Sequence, residues 1–143
     1  MHTRDEIAAL IPHQGTMCLN ERIVAWDARR VVLATASHRA ADNPLRTDGR
    51  LRALHLAEYG AQAMAVHGGL LAAAEGRKAT PGLLVSLRAV ELSVDHVEDL
   101  PGELEVEAEQ LAATPESWQY AFVVRHDGRV LARGRAAVMA RDA

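Results

Sequence analysis

The fold of this 143-residue chain depends on one stretch, LRALHLAEYGAQAMAVHGGLLAAA, at residues 51–74. Apolar and small residues recur in it at helical spacing. The stripe they form consists of Leu54, Ala57, Ala61, Met64, Ala65, Gly68 and Leu71. Alanine occupies eight positions of the stretch, so several faces carry small side chains. This pattern predicts a long helix that is buried on more than one side and that Gly76 and Pro81 end.

The residues before this helix predict one short helix and two strands. Residues 5–11 carry apolar residues at helical spacing behind a possible Thr3 cap. Residues 22–26 and 31–37 are rich in β-branched residues, and the link at residues 27–30 suits a hairpin. Residues 39–50 are polar and contain turn signals at residues 42–44 and 48–49, which predicts a loop.

The residues after the long helix read as four strands, at 82–94, 102–111, 118–126 and 129–140. The second of these alternates strictly between glutamate and mostly apolar residues, which is typical of a half-exposed strand. Asp127-Gly128 between the last two is a strong hairpin signal.

Consecutive strands favour an antiparallel sheet over alternating βαβ units. The sequence therefore predicts an α+β protein with the hot-dog fold, in which a long central helix is wrapped by a curved antiparallel sheet of five to six strands. We expect one domain over residues 1–143. An exposed edge strand of such a sheet is expected to pair with a second copy, which predicts a dimer.

Composition narrows the functional class. Hydrophobic residues make up 49% of the chain and aromatic residues only 3%, and the formal charge is −3, so nucleic-acid binding is not expected. Cys18 is the only cysteine, which excludes an internal disulfide. We find no targeting pattern, bilayer-spanning run, phosphate loop, dinucleotide fingerprint or metal-ligand cluster. We therefore expect a cytoplasmic protein without membrane association, cofactor or metal.

Glu58 is the residue that points to chemistry, because it lies among apolar residues of the long helix. A carboxyl group that faces a core tends to be neutralised, paired or functional, and burial suits a general acid or base. The alternative is that Glu58 lies on the exposed face near the helix start, where it favours the helix dipole.

Three motifs of the sequence carry a family resemblance: IPHQGTMCLNERIV at residues 11–24, Asn43-Pro44-Leu45, and EYGAQAM at residues 58–64. In this order they resemble the N-terminal signature, the turn before the catalytic loop and the helix segment of the 3-hydroxyacyl-ACP dehydratases. Within that family the resemblance is strongest to the dehydratase-like proteins of aryl polyene biosynthesis. The resemblance covers most of the chain.

The resemblance implies an acid on the central helix and a loop histidine that meet across a dimer interface. Glu58 matches the acid and Gln62 the glutamine that follows it. Arg50 stands where the histidine is expected, and arginine does not act as a base. His38 is then the best candidate for the base; the alternative is a turn residue that holds the loop. Arg50, Gln62 and His13 are expected to bind substrate, although a structural role is favoured for His13.

The function implied is removal of water from a 3-hydroxyacyl thioester in fatty acid or polyketide synthesis. The alternatives are a catalytically impaired subunit that pairs with an active dehydratase, a hot-dog acyl thioesterase, or an acyl-binding module. The partner implied is an acyl carrier protein with a phosphopantetheine-linked acyl chain, together with an identical or different hot-dog chain. Arg46, Arg50 and Arg52 offer a basic rim for the carrier; the alternative is that they pair with Asp42 and Asp48.

Overall fold

A computed structural model describes residues 3–11, 15–79 and 82–141. Two α-helices and six strands account for most of these residues. The helices are α1 (Arg4–Leu10) and α2 (Leu56–Ala74). The strands are β1 (Arg22–Trp26), β2 (Arg30–Thr35), β3 (Gly82–Leu92), β4 (Leu104–Ala113), β5 (Ser117–His126) and β6 (Arg129–Ala140).

The six strands form one antiparallel sheet in the order β1-β2-β4-β5-β6-β3. Helix α2 packs against β2, β4, β5 and β6, and one apolar core lies between the helix and the sheet. The predicted hot-dog architecture, with one long helix against a curved antiparallel sheet, is confirmed. In the described residues, no helix combines the length and the apolar character needed to cross a bilayer.

Local sequence signals explain both hairpins that were predicted. In the β1–β2 turn, Oδ1 of Asp27 accepts hydrogen bonds from the backbone N–H groups of Arg29 (2.8 Å) and Arg30 (3.0 Å). In the β5–β6 turn, Asp127 and Gly128 both have positive φ, at 48° and 80°. Two such residues in succession match the twist of antiparallel strands, which is why Asp-Gly is favoured there.

The side of α2 that is buried against the sheet is not the stripe that the sequence predicts. The side that faces the sheet is formed by Leu56, Tyr59, Ala63, Val66 and Leu70, none of which exposes more than 4% of its surface. In the predicted stripe only Met64 is buried, and Leu54 is 58% exposed. Apolar residues occur on both sides of the helix, and the larger ones pack on the sheet because they bury more area there.

The start of α2 also lies later than predicted. Residues 51–53 are held to residues 95–97, because the N–H of Val97 donates to the carbonyl of Leu51 (2.9 Å) and the N–H of Ala53 donates to that of Asp95 (2.8 Å). A single 3₁₀ turn, Ala53–His55, then leads into the helix at Leu56. A tertiary backbone contact therefore replaces the first turn that helical spacing predicts.

Candidate active site

A buried chain of hydroxyl groups fixes the loop of residues 36–46 to the start of α2. Nδ2 of Asn43 donates to the hydroxyl of Tyr59 (3.0 Å), which lies 2.8 Å from Oγ of Ser37. Oγ of Ser37 in turn donates to the carbonyl of Leu19 (2.6 Å). Burial raises the pKa of Tyr59, although its hydrogen bonds with Ser37 and Asn43 oppose this, so the phenol stays neutral and can donate to Ser37. The sequence pattern does not predict this network, and the Asn43-Pro44 turn is the one signal of it.

Glu58 lies in the first turn of α2, next in sequence to Tyr59. Its side chain is half-buried, which places it between the two expectations of a core carboxyl group and a fully exposed one. The first turn of a helix favours a negative charge or a hydrogen-bond acceptor, because the backbone N–H groups there point outward. The role of Glu58 as the acid stays a prediction.

His38 lies in a 3₁₀ turn, Ser37–Arg39, directly after β2, and exposes none of its surface. Its Nε2 is 2.9 Å from the carbonyl oxygen of Leu100. A carbonyl only accepts, so the ring carries its proton on Nε2 and leaves a lone pair on Nδ1. That buried Nδ1 has no hydrogen-bond partner in the described part of the chain. Burial lowers the pKa of His38, and the hydrogen bond to Leu100 only partly offsets this.

Arg50 is presented by a tight turn and is held from one side. Asp48 and Gly49 both have positive φ, and Thr47 and Arg50 exchange backbone hydrogen bonds across them. The Nε of Arg50 lies 3.4 Å from Oε2 of Glu98, and its Nη2 lies 2.6 Å from Nε2 of His96. The expected alternative, pairing with Asp42 or Asp48, is therefore wrong for Arg50: its carboxylate partner comes from the loop after β3.

Glu98 also reaches the backbone before α2. Its Oε1 accepts a hydrogen bond of 2.7 Å from the N–H of Leu51. Desolvation opposes ionisation of Glu98, but the hydrogen bond from Leu51 and the nearby His96 and Arg50 outweigh it and lower its pKa. The carboxylate thus fixes both the Arg50 side chain and the segment that leads into α2.

The cluster of His96, Glu98 and Asp99 does not suit a metal ion. Their potential ligand atoms lie within 4.8 Å of one another. The cationic guanidinium of Arg50 already lies against His96 and Glu98, and a second positive charge between them would be repelled.

Gln62 is fully buried and bonds to the N-terminal segment. Its Oε1 accepts from the N–H of Leu19 (2.9 Å), and its Nε2 donates to the carbonyl of Met17 (2.6 Å). One acceptor and one donor of the amide are therefore used to hold residues 17–19 against α2. Its expected contact with substrate stays a prediction. His13, also expected at the substrate, lies outside the described residues.

A cavity of about 330 Å³ opens beside α1 and the loop after β2. It is lined by Arg4, Glu21, Ala36, Ser37, Arg39, Ala40, Asp42 and Asn43. Glu58 is not among these residues, so this cavity does not adjoin the predicted acid. Ser37 and Asn43 line the cavity and also belong to the hydroxyl network, so the two adjoin each other.

Of the predicted rim arginines, only Arg52 projects without a polar partner among the described residues. Arg46 is half-buried, and its Nη2 donates to the carbonyl of His38 (3.3 Å). Arg50 is held as described above. Arg52 is exposed and interacts through its backbone, in a bridge with His96 and in a hydrogen bond from the N–H of His55 (3.0 Å). The structure therefore brings Arg46 to the carbonyl of His38, whereas the Arg50 side chain bonds to His96 and Glu98.

Comparison with solved structures gives the same fold. The dehydratase heterocomplex ApeI:P from Xenorhabdus doucetiae is similar, with a TM-score of 0.84 and 21% identity over 98% of this chain and 91% of that one. A thioesterase family protein from Silicibacter pomeroyi has a TM-score of 0.65 and 20% identity, covering 96% and 93%. A hypothetical thioesterase from Streptococcus pneumoniae, solved with coenzyme A, has a TM-score of 0.61 and 12% identity over 83% of this chain and 84% of that one.

Comparison at the level of sequence is more specific. No curated protein matches the chain. The sequence model of the ApeP-like family, described as ApeP dehydratase, matches residues 5–143, which include every structural element from α1's first turn to β6. Because this match spans almost the whole sequence, the chain belongs to the ApeP-like dehydratase family.

Proposed function

We propose that the protein acts in the dehydration of 3-hydroxyacyl thioesters on an acyl carrier protein, in fatty acid or aryl polyene-type synthesis. The observation that carries the proposal is the family match over residues 5–143, together with the position of Glu58 in the first turn of α2. A carboxyl group at that place is close to the outward-pointing N–H groups of the helix start, which polarise a thioester carbonyl.

The reaction needs one base and one acid. A base removes the proton from the carbon next to the thioester carbonyl, and the carboxylic acid of Glu58 protonates the 3-hydroxyl group. The carbon–oxygen bond breaks, water leaves, and the electron pair of the broken C–H bond forms the new double bond. Each such proton transfer contributes about 100- to 10 000-fold to the rate.

His38 is the proposed base. Support comes from its Nδ1, which keeps a lone pair and has no hydrogen-bond partner among the described residues. A lowered pKa keeps the ring neutral and ready to accept a proton. The ring has no exposed surface in the single chain. Its action as a base therefore requires the loop that carries it to move when substrate or a partner binds.

A second candidate function is that of a non-catalytic subunit paired with an active dehydratase chain. The specific observation in its favour is Arg50, which stands at the expected histidine position and is held by Glu98 and His96. The similar Xenorhabdus doucetiae structure is a complex of two different chains. In this alternative the partner supplies the base and this chain contributes the fold, the interface and Arg52 toward the acidic carrier.

One experiment separates these functions. The purified chain is incubated with a 3-hydroxyacyl group on an acyl carrier protein, alone and with the ApeI chain of Xenorhabdus doucetiae, and the enoyl product is measured by mass. We expect Glu58→Gln to lower the rate by about 100-fold or more, because the amide cannot supply the acidic proton. Glu75→Gln, at the other end of α2, is the matched control and should keep the rate.

The outcomes assign the role of the chain. Loss of activity in Glu58→Gln supports its catalytic action, whereas full activity of that variant overturns it. Turnover only in the presence of the ApeI chain and independent of Glu58 supports the subunit function. Release of free thiol in place of the enoyl product would identify a thioesterase, in which Glu58 activates water.

A further inference from the structure

The side chain of Asn43 joins the loop of residues 36–46 to the first turn of α2. It is buried, with only 6% of the residue exposed. Its Nδ2 donates to the carbonyl of Ser37 (2.9 Å) and to the hydroxyl of Tyr59 (3.0 Å). Its Oδ1 accepts from the N–H of Leu45 (2.9 Å). Both donors and one acceptor of the amide are therefore used, which fixes its orientation.

Tyr59 is fixed through both its side chain and its backbone. The residue exposes none of its surface, and its hydroxyl bonds to Asn43 and lies 2.8 Å from Oγ of Ser37. Its backbone carbonyl accepts a hydrogen bond of 3.3 Å from Nδ2 of Asn20. Successive residues of an α-helix are rotated by about 100° about the helix axis. Because Tyr59 is held in this way, it also determines the direction in which Glu58 projects.

The turn that carries His38 is held by the same asparagine. The carbonyl of Ser37 accepts from Nδ2 of Asn43 and from the N–H of Ala40 (3.2 Å), which closes the turn around His38. The N–H of Arg46 donates to the carbonyl of Asn43 (3.1 Å), and Nη2 of Arg46 donates to the carbonyl of His38 (3.3 Å). The backbone of His38 is thus placed by bonds that begin at Asn43.

The proposed acid and the proposed base are therefore both tied to the hydrogen bond between Asn43 and Tyr59. General acid–base catalysis needs heavy-atom distances of about 2.6–3.2 Å along the path of each proton. A misplacement of about 1 Å can lower a rate by about 100-fold. A bond that aligns two such groups should affect turnover more strongly than it affects the stability of the fold.

The second buried tyrosine of the chain offers a direct comparison. Tyr120 is 3% exposed, and its hydroxyl also has two hydrogen-bond partners, His67 and Gln110. These partners lie in the C-terminal half of α2 and in β4. The hydroxyls of Tyr59 and Tyr120 are thus alike in burial and bonding, but only Tyr59 adjoins Glu58 in sequence.

We propose that Asn43 and Tyr59 are positioning residues for the dehydration, which hold Glu58 and the His38 turn in one geometry through their mutual hydrogen bond. This inference rests on the proposed function, and it assigns no proton transfer to Asn43 or Tyr59. The movement that brings His38 to substrate takes place about a fixed point, because Asn43 stays bonded to Tyr59.

The test measures kcat and KM separately for Tyr59→Phe, Asn43→Ala and the double variant. The assay is the dehydration assay above, with the chain alone or with the ApeI chain, whichever preparation turns over. We expect each single variant to lower kcat by about tenfold or more and to change KM by less than about threefold. The double variant should be no slower than Asn43→Ala, because both substitutions remove the same bond.

Tyr120→Phe is the matched control, since it removes the other buried hydroxyl. It should lower the unfolding temperature by a few degrees, as Tyr59→Phe does, and keep kcat within about twofold. Circular dichroism shows whether each variant is folded. Tyr59→Phe keeps its packed ring, so it decides the outcome together with this control if Asn43→Ala does not fold.

Several results would overturn the positioning role. They are an unchanged kcat in Tyr59→Phe, an equal loss of kcat in Tyr120→Phe, a change in KM alone, and effects that multiply to about 100-fold in the double variant. Glu58→Gln in the same assay keeps this inference distinct from the proposed function. Full activity of Glu58→Gln overturns the proposed chemistry, whereas an inactive Glu58→Gln beside a fully active Tyr59→Phe overturns the positioning role alone.

Discussion

Each end of α2 has a fully buried histidine near it, His67 within the helix and His38 in the 3₁₀ turn whose Ser37 bonds to Tyr59, and the surroundings of the two rings differ. Toward the C-terminal end, His67 has both ring nitrogens in hydrogen bonds: Nδ1 lies 2.7 Å from the hydroxyl of Tyr120 and Nε2 lies 2.9 Å from the carbonyl of Asp27. Nε2 of Gln110 donates to the same hydroxyl (3.1 Å). Burial raises the pKa of Tyr120 to about 12, so the phenol remains a donor to His67. This end of the helix is a completed polar network.

The N-terminal end is incomplete by the same criterion. Three buried polar side-chain atoms of the described residues have no hydrogen-bond partner: Nδ1 of His38, Nε of Arg46 and Oδ1 of Asn20. Asn20 donates to the carbonyl of Tyr59 in α2, and Arg46 donates to that of His38, whose neighbour Ser37 bonds to the Tyr59 hydroxyl. Buried groups are rarely left unpaired without a reason. The difference supports the proposal that the two ends have different tasks: the polar groups at the His67 end stabilise the fold, whereas the unpaired groups at the His38 end are available for binding or chemistry.

The largest effect is expected at the completed end. His67→Ala removes two hydrogen bonds, leaves the Tyr120 hydroxyl without its acceptor and opens a cavity, so we expect a loss of about 3–4 kcal/mol in the free energy of unfolding. Urea denaturation measures it. Tyr120→Phe, which removes only the hydroxyl, should cost about 1–2 kcal/mol. A loss below about 1 kcal/mol for His67→Ala would contradict the claim that the network around His67 stabilises the fold.

His38→Ala should be less damaging to stability and more damaging to function. It removes one hydrogen bond and also removes an unpaired nitrogen, so we expect a loss of about 1–2 kcal/mol. In the dehydration assay the same variant should lose most of its activity if His38 is the base. Equal destabilisation by His38→Ala and His67→Ala would show that both ends serve the fold alike.

A change in pH should act on both ends. Burial lowers the pKa values of His38 and His67 from the ordinary 6.5. The unfolded chain therefore binds protons at a higher pH than the folded protein. Stability should be greatest above about pH 6.5 and should fall by about 1 kcal/mol as the pH drops toward about 5. Thermal unfolding at several pH values measures this slope, and His67→Gln should flatten it. A slope of opposite sign would contradict the buried neutral state.

The smallest effect is expected at Arg50. Its pairing with Glu98 leaves the arginine side chain 49% exposed, and such pairs contribute about 0–1 kcal/mol. Arg50→Gln should therefore change the free energy of unfolding by less than about 0.5 kcal/mol. Glu98→Ala should cost more, because it also removes the acceptor for the N–H of Leu51. Equal losses of stability in Arg50→Gln and Glu98→Ala would mean that the Glu98 carboxylate stabilises the fold only through its ion pair with Arg50.

Local signals were enough to predict the strands and their turns. The alternation in β4 and the Asp127-Gly128 turn depend on neighbours in sequence, and the structure confirms both. The burial of α2 was predicted on the wrong stripe, because apolar residues occur on both sides and tertiary packing decides which side faces the sheet.

The surroundings of the site depend on contacts between distant residues. His38 bonds to Leu100, 62 positions later, and Arg50 to Glu98, which comes from the loop after β3. Family motifs located Glu58 and Gln62 on the helix, but composition and spacing carry no information on which carbonyl or carboxylate meets a given side chain. The hydroxyl network of Ser37, Tyr59 and Asn43 was missed for the same reason.

The strand order has a consequence for synthesis on the ribosome. Among the described strands, β3 pairs only with β6, which is translated after the other five, so β3 emerges with no neighbour to join. Until residues 129–140 leave the exit tunnel, its leucines and its backbone are open on both edges. The sheet is thus completed only when β6 has been translated, and during that interval the apolar residues of β3 can associate with other chains.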